Sequence, residues 1–167
     1  TIIKQGDIVS IDIGATFDGY VGDNAYTFPC GDVSAEAQAL MDATREGLYE
    51  GIKAAKAGAR IGDIGSAVQR YTEARGYSVV RSFVGHGVGA KMHEDPSVPN
   101  YGTPGRGVRL LPGMTIAIEP MINQGVKEVK TLSDGWTTVT ADGKLSAHFE
   151  HSIAITPDGP VILTLPD

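Results

Sequence analysis

Little in this 167-residue sequence points to a cross-linked, membrane-spanning or nucleic-acid-binding protein. It has a single cysteine, Cys30, which excludes an internal disulfide framework and fits a reducing compartment. No run of about 18 apolar residues occurs, so no segment reads as a membrane-spanning helix. A signal-peptide pattern is also missing, and the cytosol is the expected location. Basic charge is scarce: 14 Lys and Arg against 20 Asp and Glu give a formal charge of −6. That balance argues against specific nucleic-acid recognition, because phosphate contacts need clustered cations. The opening, Thr1-Ile2-Ile3-Lys4-Gln5-Gly6-Asp7, has no initiator Met and runs at once into a strand. A chain shortened at its N-terminus is therefore expected.

What is present suits one globular domain over residues 1–167, with 41% hydrophobic and 20% charged residues. Val9, Ile11 and Ile13 alternate with Ser10, Asp12 and Gly14, the period of a strand. Asp18-Gly19 predicts a two-residue hairpin turn, whose central positions both need positive φ. The returning strand runs from Tyr20 to about Phe28. Ser34 predicts an N-cap, and Ala37, Leu40, Met41, Thr44, Leu48, Ile52 and Ala55 follow at helical spacing. A second helix carries Ile61, Ile64, Val68 and Tyr71 and stops at Gly76. Strands are expected over Tyr77–Val84, Met114–Ile118, Trp136–Thr140 and Ser146–Thr156, with a loop from Pro96 to Pro112.

An internal echo links two of these strands. Gly6 to Asp12 and Gly113 to Glu119 both run from a glycine through an alternating strand to a carboxylate six residues on. Small residues share each acid's face, Ser10 and Gly14 with Asp12, Thr115 and Ala117 with Glu119. That leaves room for something bound and suggests pseudo-two-fold symmetry.

In the predicted hairpin, Phe17 pairs with Tyr20 and Gly14 faces Asp23, which puts Asp12, Gly14 and Asp23 on one face. Asp12 and Asp23 are then diagonal neighbours, about 7–8 Å apart at the backbone. Taken alone, the pair reads first as two solvent-facing acids on an edge hairpin. Glu119 and Glu150, however, also sit on apolar strands, where an unpaired Glu is seldom buried. His86 lies in Gly85-His86-Gly87-Val88-Gly89, where backbone can approach closely, and His93 follows seven residues later. Four carboxylates and one imidazole form a credible oxygen-rich site for two metals, suited to Mn, Fe, Co or Zn. His151 points to the opposite face from Glu150 and is expected to be structural.

Asp12 and Asp23 at this spacing, His86 in Gly-His-Gly-Val-Gly, Glu119 in Ile-Glu-Pro-Met and Glu150 in Phe-Glu-His resemble the pita-bread metallopeptidases. His93-Glu94-Asp95-Pro96, Gly135-Trp136-Thr137 and Ser146-Ala147 are similar to the type I methionine aminopeptidases among them. The resemblance implies an α+β fold: a pseudo-two-fold antiparallel sheet with helices on its outer face, the first half incomplete. It implies removal of N-terminal methionine from peptides and nascent chains by a water activated between two divalent ions (Co, Mn, Fe or Zn). Asp12 would be the terminal ligand of one ion, His86 and Glu119 of the other, and Asp23 and Glu150 would bridge. Glu119 would also shuttle a proton, and His93 would hydrogen-bond the developing oxyanion. Met92 and Trp136 would line the methionine pocket with His93; at the position of Met92 a Phe is often found.

The relatives also carry an N-terminal segment with a further active-site His and part of the pocket. Exposed apolar surface, and a marginal or self-associating chain, are expected where it would pack. A ribosome contact through Lys127 and Lys130 follows from trimming nascent chains. Two other readings share the fold: a prolidase-like, proline-specific aminopeptidase, which His93-Glu94-Asp95-Pro96 disfavours, and a catalytically silent binding module, which the retained ligands disfavour.

Overall fold

A computed structural model describes residues 2–165. The chain opens with an antiparallel hairpin, β1 (Ile8–Phe17) and β2 (Tyr20–Pro29), paired in the register expected from its turn: Phe17 opposite Tyr20, Gly14 opposite Asp23. Asp18 and Gly19 take φ of 48° and 82°, the left-handed conformation the two-residue turn demands.

Two helices follow, α1 (Ala35–Ala54) and α2 (Ile61–Glu73). Ser34 caps α1 as its sequence position predicts, its hydroxyl accepting from the Ala37 N–H at 3.1 Å. All seven stripe residues from Ala37 to Ala55 are buried. Gly47 and Gly51 let α2 approach closely, for a Cβ there would lie 2.8 Å from Thr72 and 2.7 Å from Val68. At the head of α2 the Asp63 carboxylate accepts from the Arg60 N–H at 2.7 Å.

The remaining strands are short: β3 (Ser78–Val79), β4 (Gly85–Gly87), β5 (Glu94–Val98), β6 (Thr115–Ile118), β7 (Met121–Asn123), β8 (Val129–Thr131), β9 (Thr138–Thr140), β10 (Ser146–His148), β11 (His151–Thr156) and β12 (Gly159–Ile162). All pairings are antiparallel, in the orders β12-β11-β6-β4-β5 and β10-β7-β3, with β8-β9 a separate ribbon. Helix α1 packs on β6, β7, β10 and β12, and α2 on β3 and β5, so one side of the molecule is helical. The core between them holds Leu40, Leu48, Ile64, Val68, Ile116, Ile118, Ile122 and Ile153.

Three expected strands are shorter than their patterns. Only Ser78 and Val79 of the run 77–84 form a strand, against Asn123 and Ile122; the Val80 N–H adds one bond to the Met121 carbonyl at 3.0 Å, and Arg81 to Phe83 are exposed. The ribbon strand begins at Thr138, not Trp136. The run 146–156 splits at Phe149-Glu150, opposite Glu119-Pro120, yet His148 pairs with Met121 and His151 with Ile118 in one continuous register. Pro120 has no N–H to complete that rung of the ladder. Extending the register sets Glu150 directly across from Glu119. The Gly-rich segment that carries His86 forms the short strand β4.

The internal echo is real at the backbone. Gly6 and Gly113 both have φ of 92°, and each opens a strand whose partner brings a second acid: β1 with β2, β6 with β11. The two pairs meet where β2 lies against β10 and β11. The Glu150 N–H donates to the Ala25 carbonyl at 2.9 Å, and the Ser152 hydroxyl accepts from the Asp23 N–H at 2.9 Å and donates to the Asp23 carbonyl at 2.8 Å.

Candidate metal centre

Each half of the molecule supplies a pair of acids to the junction. Asp12 and Asp23 come from the hairpin, Glu119 from the residue after β6, and Glu150 from the residue before β11. With His86 of β4 they line one cavity of about 230 Å³, together with Gly14, Met92 and His93. One oxygen of Asp23, one of Glu150 and a ring nitrogen of His86 lie within 4.8 Å of one another, all three residues buried. His86 Nε2 is 3.4 Å from Glu119 Oε1 and 3.6 Å from Asp23 Oδ2. Asp12 forms the open side of the cavity, on an exposed stretch of β1.

The imidazole of His86 is aimed by its surroundings. Its Nδ1 lies 2.9 Å from the Gly87 carbonyl, so in the neutral ring Nδ1 carries the proton and Nε2 turns its lone pair to the acids. The flanking glycines are needed because a Cβ at Gly85 would strike the Ala117 carbonyl, and one at Gly87 the Asp95 carbonyl. This is the close backbone approach expected of the Gly-rich segment.

The acids are poorly compensated by the protein alone. Burial, then the charges of Glu119, Asp23 and Asp12, push the Glu150 carboxyl up to about 9. Burial, then the Asp12 charge, also raises Asp23, against a lowering contribution from His86. Among the described residues Glu150 Oε1 is buried with no hydrogen-bond partner. An orphaned carboxylate oxygen among three other acids is a costly arrangement unless a cation completes it.

Of the other expected site residues, His93 stacks obliquely on His86 at 4.3 Å between ring centres. It lines both the acid cavity and an adjoining open recess of about 750 Å³ with Lys91, Glu94, Asp95 and Ser97. The thioether of Met92 rests on Gly14, where any Cβ would collide with its terminal methyl. Trp136 does not join them: it is 89% exposed at the β8–β9 connection and does not line the cavity. His151, as expected, faces away, its Nδ1 2.9 Å from the Thr164 hydroxyl and its ring 6.0 Å from that of Tyr49. Burial lowers its pKa. One residue escaped sequence reasoning: His148 points Nε2 at Glu119 Oε2 from 3.6 Å. Its place two residues before Glu150, on the same strand face, was the available signal.

The model of metallopeptidase family M24 matches residues 1–157. The chain belongs to that family. This M24 chain is 57% identical over 163 residues to a methionine aminopeptidase of Clostridium perfringens, covering 98% of itself and 66% of that protein. It is 55% identical to methionine aminopeptidase 1 of Bacillus subtilis, with the same coverage. Its fold matches the crystal structure of methionine aminopeptidase from Thermotoga maritima with a TM-score of 0.96 and 50% identity, over 99% of this chain and 66% of that one. A prolidase from Pyrococcus horikoshii is more distant, at 26% identity and a TM-score of 0.78. The chain thus spans just under two thirds of its relatives' length, 66%. The architecture is the α+β pita-bread fold, and the M24 membership and acid cluster together point to a divalent metal. Carboxylate oxygens with one imidazole suit such an ion, and the bare oxygen of Glu150 is where one is wanted.

Proposed function

We propose that this chain carries the dinuclear centre of an aminopeptidase that removes N-terminal methionine from peptides and nascent proteins. The observation that carries the reading is the convergence of Asp12, Asp23, His86, Glu119 and Glu150 on one cavity, with Glu150 Oε1 unpartnered. In this reading Asp12 would help hold one ion and His86 and Glu119 the other, with Asp23 and Glu150 contributing to both. Mn, Fe, Co and Zn all suit the donors. When bound, the ions lower the pKa of water and polarise a carbonyl.

The chain's own residues would do the rest. Glu119, half-buried at the cavity wall, accepts a proton from the attacking water and returns it to the departing amine. His93, between the cavity and the open recess, hydrogen-bonds the carbonyl oxygen as it gains charge. Met92 offers an apolar, adaptable contact to the methionine side chain. Trp136 enters this reading through the sequence resemblance alone, since it lies outside the cavity. We read residues 1–167 as one catalytic domain acting in the cytosol. A ribosome contact through Lys127 and Lys130 fits that task, both being exposed.

Methionine specificity is favoured over proline specificity by the identities, 44–57% to several methionine aminopeptidases against 24–26% to prolidases and dipeptidases. The test compares hydrolysis of Met-Ala and Ala-Pro dipeptides with Mn²⁺ or Co²⁺ added, alongside metal analysis. Two ions per chain and cleavage of Met-Ala are expected. Preferential cleavage of Ala-Pro, or less than one ion bound in excess metal, rejects the proposal.

A further inference from the structure

Glu119 has an imidazole at each oxygen. His86 Nε2 lies 3.4 Å from Oε1, and His148 Nε2 lies 3.6 Å from Oε2. The proposed metal centre uses the first contact and leaves the second without a purpose. Yet among the described residues His148 Nε2 is buried with no hydrogen-bond partner, and it faces the one carboxylate that would both bind an ion and carry a proton. Its distance exceeds a hydrogen bond by only a few tenths of an ångström, a gap that a small rotation of the Glu119 carboxylate would close.

The backbone that carries the ring is held as well. The Thr27 hydroxyl donates to the His148 carbonyl at 2.7 Å and accepts from the His148 N–H at 2.9 Å, while the Ser10 hydroxyl lies 2.8 Å from the Thr27 hydroxyl oxygen. One buried threonine on β2 thus fixes the backbone of β10 at His148, and Ser10 ties that threonine to the strand bearing Asp12. Glu119 is anchored separately, its carbonyl accepting from the Asn100 amide at 3.1 Å.

We propose that His148 is a positioning residue for Glu119: its Nε2–H holds Oε2, so that Oε1 is the oxygen presented to a divalent cation beside His86. A carboxylate free to turn about its last bond can offer either oxygen or both. One pinned at Oε2 by an N–H offers a single oxygen, Oε1, in a set direction. Outer partners of this kind orient metal ligands generally.

The inference rests on the metal-centre reading, and the experiment separates the two. Mn²⁺ is titrated calorimetrically into the whole chain and into His148→Met and His148→Gln, with the visible spectrum of the Co²⁺ forms recorded in parallel. His148→Met, which keeps an apolar volume but no donor, is expected to bind Mn²⁺ about 10–100-fold more weakly with an altered Co²⁺ spectrum. His148→Gln, whose amide can donate to Oε2, is expected to stay close to the wild type in both. Wild-type affinity and spectrum in His148→Met would overturn the positioning role alone. Equal losses in both variants, at matched circular dichroism, would also overturn it, by making the ring's shape the operative property. If His148→Met does not fold, weak binding by a folded His148→Gln is decisive against it. A wild-type chain that takes up no Mn²⁺ removes the metal centre, and this inference with it.

Discussion

Glu150 is the residue whose chemistry is most out of balance. Its carboxyl is pushed up to about 9 by burial and by three neighbouring acids. In the metal-free chain the folded state therefore keeps a proton that the unfolded state releases from about pH 4.5 upward. Stability from this group is present in full at acid pH and is lost as pH rises through the interval to about 9. Asp23 is shifted in the same direction and adds to the slope. The thermal midpoint of chelator-treated protein should fall between pH 5 and pH 9, and Glu150→Gln should flatten that fall. Differential scanning calorimetry across this range decides it; an unchanged slope in Glu150→Gln would contradict the assignment. Added Mn²⁺ should raise the wild-type midpoint most at the alkaline end, where the carboxylates are free to bind it. His86 shows why such a residue is only partly readable in advance. Its Gly-flanked context announced close backbone approach, whereas the direction of Nε2 depends on the Gly87 carbonyl at 2.9 Å.

At the scale of elements, the site depends on how β2 docks against β10 and β11. Three ties made by residues 121 or more positions apart hold that seam: Thr27 with His148, Ala25 with Glu150, and Asp23 with Ser152. Thr27 is fully buried and serves both backbone groups of His148. Thr27→Val preserves shape while leaving that N–H and carbonyl unsatisfied, which should cost about 1–3 kcal/mol of stability. Urea unfolding monitored by circular dichroism measures it, and a change within experimental error would show that the seam tolerates the loss. None of these ties is written in local periodicity. The hairpin register was legible because Asp18-Gly19 dictates it, and the acid pair Asp12/Asp23 followed by parity. The second pair, Glu119 opposite Glu150, was not legible as a rung, because Pro120 interrupts the ladder and splits the strands around it.

For the whole molecule, the hairpin poses a solvation problem. β1 pairs with β2 and, among the described residues, with no further strand, so its outer edge presents unpaired backbone groups. Ile13 is 61% exposed and Phe17 86%, with Ile11 and Phe28 also open. An apolar strand with a free edge is a template for pairing with another chain. This chain is expected to self-associate at micromolar concentration, seen as a mass above the monomer in light scattering behind size exclusion. Ile13→Lys should shift it toward monomer, since Ile13 faces away from the acid-bearing side of β1. A monodisperse, thermally robust wild-type monomer would contradict this expectation.

Local steric rules acting over two to four residues were enough to determine the hairpin turn, the Ser34 cap, the two buried helical stripes and the types of residue available to bind an ion. They operate through neighbours along the chain, and the sequence displays those neighbours directly. Only the tertiary structure decided that side chains from β1, β2, β4, the end of β6 and the start of β11 would share one cavity, that His148 would face Glu119, and that Trp136 would stand outside. Those outcomes arise from sheet docking across more than a hundred residues, where packing and buried hydrogen bonds, not spacing, select what meets.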